Sequence, residues 1–299
     1  MEKSLQCIVI HREELEIEHQ LDADVLFLLK SVWKYGVRVL NLTEDWKKEL
    51  SLAEQILKIL EEARYSPENA LFIGAKDETL QAGCEAGLAV AAMKNPTFPG
   101  QSYEAADILI EGFEEVDFFF LERIYQRKHG IPWRVIETER CYLREMTLED
   151  LDELYEIYGE EGIADYIEPL YERQEEEIYT KAYIQNMYGY YGYGMWLVFD
   201  RFTDKMIGRA GLNNQEIEGE IILEMGYLIR NEYQNQGYAT EVCKAILDYA
   251  AEALEFPCVY CLVDSENEKS ICFLHKMKFE AAGEVFLQGK KMKRYVYFL

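Results

Sequence analysis

The sequence predicts an α/β protein in two parts, a parallel doubly wound sheet followed by a mixed sheet. Three observations carry that reading. Up to Ile110, short apolar runs alternate with helical patterns of about ten residues, the signature of strand–helix–strand crossovers. From Tyr142 onward the order changes, with strand-like runs following one another in the middle of the segment and helices on either side. Both parts can bury a core, since 49% of the 299 residues are hydrophobic and 13% aromatic.

In the first part, residues 7–10, 37–42, 70–73, 89–93 and 108–110 read as strands, and 24–33, 53–63 and 78–86 as helices. Right-handed connection of such units gives a Rossmann-like layer. Residues 128–140 contain the Gly130 and Pro132 break and separate the two parts. In the second part, Thr147 and Asp150 have the spacing of a capping box, and Leu148, Leu151, Leu154, Tyr155 and Tyr158 make one helical face. Residues 196–199 and 206–208 flank a turn as a hairpin. Residues 221–229 and 259–263 are strands, 269–277 a short helix and 286–299 a terminal strand pair.

Charge narrows the function. The formal net charge of −25 argues against a nucleic-acid partner, which needs a basic surface. The excess is concentrated between Glu149 and Glu177, where Arg173 is the single cation, and such a surface steers cations. No apolar run approaches the ~20 residues that span a bilayer, and Leu5 to Ile10 is followed at once by His11, Arg12, Glu13 and Glu14, so no membrane or secretory role is expected. Seven scattered cysteines fit reduced thiols in a cytoplasmic protein. Cys258 and Cys261 have CxxC spacing but lie in a strand, where they face opposite sides. With four scattered histidines as well, no metal site is expected.

The segment Gln234, Asn235, Gln236, Gly237, Tyr238, Ala239, Thr240 lies between the strand at 221–229 and a helix whose apolar face is Val242, Ala245, Ile246, Tyr249 and Ala253. Unpaired amides at a helix start, with the positive end of the dipole, suit a diphosphate. Gly237 and Ala239 keep side chains out of the way. Any strand–loop–helix can carry a glycine, so the loop alone does not define a phosphate site.

Gln-x-x-Gly-x-Ala after a strand resembles the acyl-CoA signature of the GNAT N-acetyltransferases, and Gly-Tyr-Ala-Thr-Glu from Gly237 to Glu241 is most similar to the Rim-type branch. Asn267, Ser270, Phe273, Lys276 and Phe279 resemble the family's Asn-x-x-Ser and Lys-x-Gly-Phe stretch. Tyr142 to Thr147 resembles its opening strand, and Ile207, Gly208, Gly211 and Leu212 its central hairpin strand. The resemblance covers 138–299 and implies a mixed α/β acyltransferase fold, acetyl-CoA as cosubstrate and an amine acceptor. It makes residues 234–240, Asn267 and Phe273 carrier-binding. It puts the Leu228 or Ile229 amide beside the thioester, and makes Glu224 the candidate base. Many relatives carry a Tyr where this chain has Leu274, and a Gly where it has Lys278, so the proton for the leaving thiolate falls to Ser270, a nearby tyrosine or solvent. Eight tyrosines between Tyr166 and Tyr193 border the implied acceptor side, as cation–π partners or as packing. Lys290, Lys291, Lys293 and Arg294 read as the guard of an edge strand, or as a contact for the 3′-phosphate of CoA.

Residues 1–130 resemble the last third of capless haloacid dehalogenase-like (HAD-like) phosphatases in element order, in Leu71, Phe72, Ile73 and Gly74 and in Lys94, Asn95 and Pro96, with Thr43 at the phosphate-binding Ser/Thr position. Where that family keeps its nucleophile and acid this chain has His11 and Glu13, and its metal-ligand positions hold Ala75 and Thr79. The resemblance therefore implies a catalytically inactive relative serving as scaffold, homo-oligomer surface or ligand sensor. Two other readings stay open: an acyl-CoA sensor without turnover, and acyl loading of a carrier protein.

Overall fold

The computed structural model describes all residues except 1–3, 18–19, 22, 44–46, 48, 115 and 288. It forms two compact units, Met1–Trp133 and Arg134–Leu299.

The first unit runs through β1 (Cys7–His11), a short pair β2 (Glu16–Ile17) and β3 (Gln20–Leu21), α1 (Ala23–Ser31), β4 (Arg38–Leu42), α2 (Leu52–Ala63), β5 (Ala70–Gly74), α3 (Asp77–Glu85), β6 (Ala89–Met93), β7 (Ile108–Ile110) and α4 (Phe118–Lys128). Five strands make one parallel sheet in the order β4-β1-β5-β6-β7. Strands β1, β5 and β6 are buried throughout, as continuous apolar runs require when helices cover both faces. Val25 and Leu28 of α1 pack with Leu121 and Ile124 of α4 in one core, and Ile56 and Leu60 of α2 pack with Leu80 of α3 in the other. The Rossmann-like layer expected from the sequence is therefore present. Helix α4 had no counterpart in the sequence reading, because three consecutive phenylalanines, 118 to 120, obscure its period. Asp117 caps it by accepting from Phe120 N–H at 2.8 Å.

The second unit contains β8 (Arg134–Glu137), β9 (Cys141–Arg144), α5 (Leu151–Tyr158), α6 (Arg173–Tyr183), a π-helical turn (Ile184–Tyr191), β10 (Met195–Asp200), β11 (Met206–Ile217), β12 (Glu220–Ile229), α7 (Tyr238–Glu252), β13 (Cys258–Asp264), α8 (Glu268–Lys276), β14 (Glu280–Leu287) and β15 (Lys290–Phe298). Its sheet has the order β14-β15-β13-β12-β11-β10-β9-β8. All pairings are antiparallel except β12 with β13. Gly208 and Gly211 of β11 are required by close approach: a Cβ would stand 2.2 Å from Leu228 O and 2.1 Å from Gly194 O respectively.

Three sequence expectations need correction. The segment read as a linker contains β8, an edge strand whose exposed Arg134 and Glu137 hid its period. The basic cluster lies on β15, which is flanked by β13 and β14, so it guards no edge; Lys291 pairs with Glu284 at 2.7 Å. Ala253 is exposed, and the buried face of α7 is Val242, Cys243, Ile246, Leu247 and Ala250.

Candidate active site

Strand β12 is paired to β11 from Glu220 to Ile229. On its other side it meets β13 at one register position, Glu224 opposite Tyr260, and beyond it, among the described residues, the strands part. The register decides which backbone groups face the gap. Arg230 N–H donates to Ile207 O, so Gly208 and Ile229 are a non-hydrogen-bonded pair and Arg209 and Leu228 a hydrogen-bonded one. The Leu228 amide therefore points at β11, whereas the Ile229 amide faces the gap. From the gap side Cys261 Sγ–H donates to Met225 O at 3.2 Å and Gln234 Nε2 to Ile229 O at 2.9 Å.

The loop that follows is folded on itself. Gln234 Nε2 also donates to Asn231 Oδ1 at 3.1 Å, and Gln236 Nε2 to Glu232 O at 2.6 Å, so these two side chains shape the loop from within. Asn235 and Gly237 hold φ of 59° and 88°. Gly237 is the N-cap of α7, and no side chain caps that helix. The first-turn amides of Tyr238, Ala239 and Thr240 thus have no intrahelical acceptor. Asn235, Gln236 and Gly237 are exposed.

A cation missed by the sequence reading stands beside this loop. Arg140 Nη1 donates to Gln236 O at 3.0 Å, and its guanidinium lies 4.2 Å from the Tyr238 ring centroid. Glu241, in the first turn of α7, holds it: the carboxylate accepts from Arg140 Nε at 2.7 Å, Arg140 N–H at 2.8 Å and Thr138 Oγ1 at 2.7 Å. Burial opposes the charge on Glu241, but these hydrogen bonds outweigh it and keep the carboxyl below its usual range. Arg140 and Glu241 are 101 positions apart, so no local motif could have joined them. Glu241→Ala is expected to lower stability by about 2 kcal/mol, read from the urea midpoint. An unchanged midpoint would mean the three bonds are replaced by water at no loss.

Glu224, Gly226 and Leu228 share one face of β12. Asn213 stands opposite Glu224 and Arg209 opposite Leu228. Tyr183 Oη donates to Asn213 Oδ1 at 2.9 Å and accepts from Met195 N–H at 2.6 Å, so Tyr183, one of the eight tyrosines read from the sequence, joins Glu224 in a patch with Asn213 and Met195, which the sequence did not single out. Burial pushes the Glu224 carboxyl up to about 7, and a hydrogen bond from Leu262 N–H only partly offsets it. Arg209 is 9% exposed, its Nη1 3.5 Å from Tyr158 Oη.

The acidic run divides. Asp150 takes a bidentate bond from Arg144 at 2.6 and 2.9 Å, Glu176 is buried, and Glu153, Glu156 and Glu160 gather on Arg230 at 3.8, 3.6 and 2.5 Å. Glu161, Asp165, Glu168, Glu172 and Glu175 remain exposed to solvent. The tyrosines divide likewise: Tyr183, Tyr188 and Tyr193 are core, while Tyr166, Tyr171, Tyr179, Tyr190 and Tyr191 are exposed.

Asn267 caps α8, its Oδ1 accepting from Ser270 N–H at 3.1 Å. Phe273 packs on Tyr227 of β12 at 4.7 Å between ring centroids. Leu274 is fully buried. Among the described residues no cluster of His, Cys, Asp and Glu could hold a metal ion, and no helix is long and apolar enough to cross a membrane.

In the first unit the carboxyl ends of β1 and β5 converge on Glu14, another residue the sequence did not single out. Its Oε2 accepts from Ala75 N–H at 2.7 Å, Lys76 N–H at 3.1 Å and Thr79 Oγ1 at 2.7 Å, and the side chain is fully buried. His11 Nδ1 lies 3.6 Å from the other carboxylate oxygen.

Strands β12 and β13 thus part just past Glu224, and the uncapped start of α7 follows the loop beside that opening. Residues 140–280 match the family model Acetyltransferase (GNAT) domain and form such a domain; the chain is an acyltransferase enzyme. Among similar proteins, YkkB of Bacillus subtilis is 28% identical over 141 residues, covering 47% of this chain and 81% of that protein. Spermidine N(1)-acetyltransferase of Escherichia coli is 39% identical over 71 residues, 22% of this chain and 38% of that enzyme. The solved acetyltransferase from Agrobacterium tumefaciens aligns with a TM-score of 0.47 and 21% identity, over 55% of this chain and 94% of its own.

Proposed function

We propose that the second unit transfers the acetyl group of acetyl-CoA to the nitrogen of a cationic amine. The observation that carries this reading is the parting of β12 and β13 just past Glu224, next to the uncapped start of α7. GNAT acetyltransferases use acetyl-CoA, which supplies the acyl group as a thioester. The amides of Gly237 to Thr240, with Arg140 beside them, suit its diphosphate. Asn267 and Phe273 flank the pantetheine path.

An alkyl ammonium with pKa of about 10 is almost fully protonated at neutral pH, so the acceptor must lose a proton first. Glu224, poised at about 7, takes that proton through a water. The Ile229 amide, open to the gap, donates to the oxygen on which charge develops; Leu228, committed to β11, does not. Ser270 supplies the proton to the departing sulfur. The exposed carboxylates between Glu161 and Glu175 favour a cationic acceptor, and the relative named as a spermidine acetyltransferase agrees with that class.

The first unit fits an inactive HAD-like relative. His11 stands where a carboxylate nucleophile is needed, and Glu14 fills the strand-end crevice, which is the usual ligand position of such sheets. The same two residues weigh against loading of a carrier protein from a phosphorylated donor.

Polyamines, aminoglycosides and amino-terminal peptides, assayed with acetyl-CoA by thiol release, are expected to give turnover with cationic acceptors, with a KM that rises with salt. Micromolar CoA binding without turnover on any amine would replace this reading with that of an acyl-CoA sensor.

A further inference from the structure

Tyr227 lies three positions past Glu224 on β12, so its side chain projects from the opposite face, toward α8. Its hydroxyl is buried and makes no hydrogen bond of ordinary geometry among the described residues, although the Ser270 side chain interacts with it electrostatically. A buried unsatisfied hydroxyl costs about 1–3 kcal/mol, and a fold that keeps one invites the question of what it serves. The ring is held by Phe273, and the hydroxyl interacts with the side chain of Ser270, three residues before Phe273 on α8. Ser270 is itself fixed in the first turn of α8 by Asn267. The thiols of Cys243 and Cys261 are buried in the same region, and burial holds both protonated.

We propose that Tyr227 is a positioning residue for proton donation: its Oη–H donates to Ser270 Oγ and so turns the Ser270 O–H toward the sulfur of the carrier. This rests on Ser270 being the donor. As the C–S bond breaks, its electron pair stays on sulfur, Ser270 Oγ gives sulfur a proton and regains one from water. Tyr227 keeps its own proton throughout, because burial raises its ionisation above the ordinary tyrosine range.

The test uses CoA itself and needs no acceptor: the thiol of CoA bound to the full chain is titrated by its thiolate ultraviolet absorbance. In the wild type the two hydroxyls should stabilise the thiolate and lower the thiol pKa by about one unit, a tenfold change in the acid constant. Tyr227→Phe and Ser270→Ala should each remove that shift, their combination should add nothing further, and Ser270→Thr should retain it. A shift lost in Ser270→Ala but kept in Tyr227→Phe overturns the role of Tyr227 and leaves Ser270 standing. No effect of Ser270→Ala overturns the donor assignment itself. Additive effects, or loss of CoA binding in Tyr227→Phe by calorimetry, would make Tyr227 an independent or a structural residue and overturn the proposal.

Discussion

Glu224→Gln is expected to lower kcat by about two to three orders of magnitude, the usual worth of a general base, with little change in CoA affinity. The amide is close in shape and can accept the Leu262 hydrogen bond, so what is lost is the capacity to take a proton. In the wild type kcat/KM should fall as pH drops through about 7, where the carboxyl becomes protonated, and Glu224→Gln should lack that limb. The variant has a second signature. The folded carboxyl titrates near 7 against an ordinary value of 4.5, so between these values the folded state holds a proton that the unfolded state has released. Through this group, wild-type stability is highest below the ordinary value and declines as pH rises through the raised one. Glu224→Gln should therefore gain up to about 3 kcal/mol over wild type above pH 7, and the gain should vanish in acid. Equal turnover, or parallel stability curves across that window, would remove Glu224 from the role of base.

Gly237→Glu is expected to weaken CoA binding by at least about 100-fold in a calorimetric titration, roughly 3 kcal/mol, while secondary structure is retained. Two effects act together. At a φ of 88° any side chain is strained by about 1–2 kcal/mol, and a carboxylate at the bare amides repels the diphosphate. A Cβ there would stand 3.4 Å from Arg140 Nη2, so the new carboxylate can also recruit the guanidinium. Gly237→Ala separates the terms, since it carries the strain without the charge and should lose far less. Unchanged CoA affinity in Gly237→Glu would overturn the assignment of the loop.

The sequence made the repeating and the compositional parts of this protein legible. Alternation of short apolar runs with helical faces found the sheet of the first unit, and a glycine between a strand-like run and an amphipathic helix found the loop at 234–240. What it could not show depends on register or on distant partners. Leu228 and Ile229 are equivalent in sequence, and only the pairing of Ile229 with Gly208 separates the amide that is engaged from the one that is open. Arg140 was hidden because its partner Glu241 is remote in the chain. The acidic run read as one patch, yet Arg144 and Arg230 draw several of its carboxylates into structural pairs. Glu14 escaped notice because the donors its carboxylate accepts from, the Ala75 and Lys76 amides, come from another strand's end.

The lone bridge between Glu224 and Tyr260 makes the sheet of the second unit mechanically weak along one seam. A molecule lying in that seam acts as a surrogate strand, lending the cohesion that backbone pairing withholds. Amide protons of β13 should accordingly exchange faster than those of β11 in the unliganded protein and slow markedly once the seam is filled, so that local rigidity becomes a property of the complex.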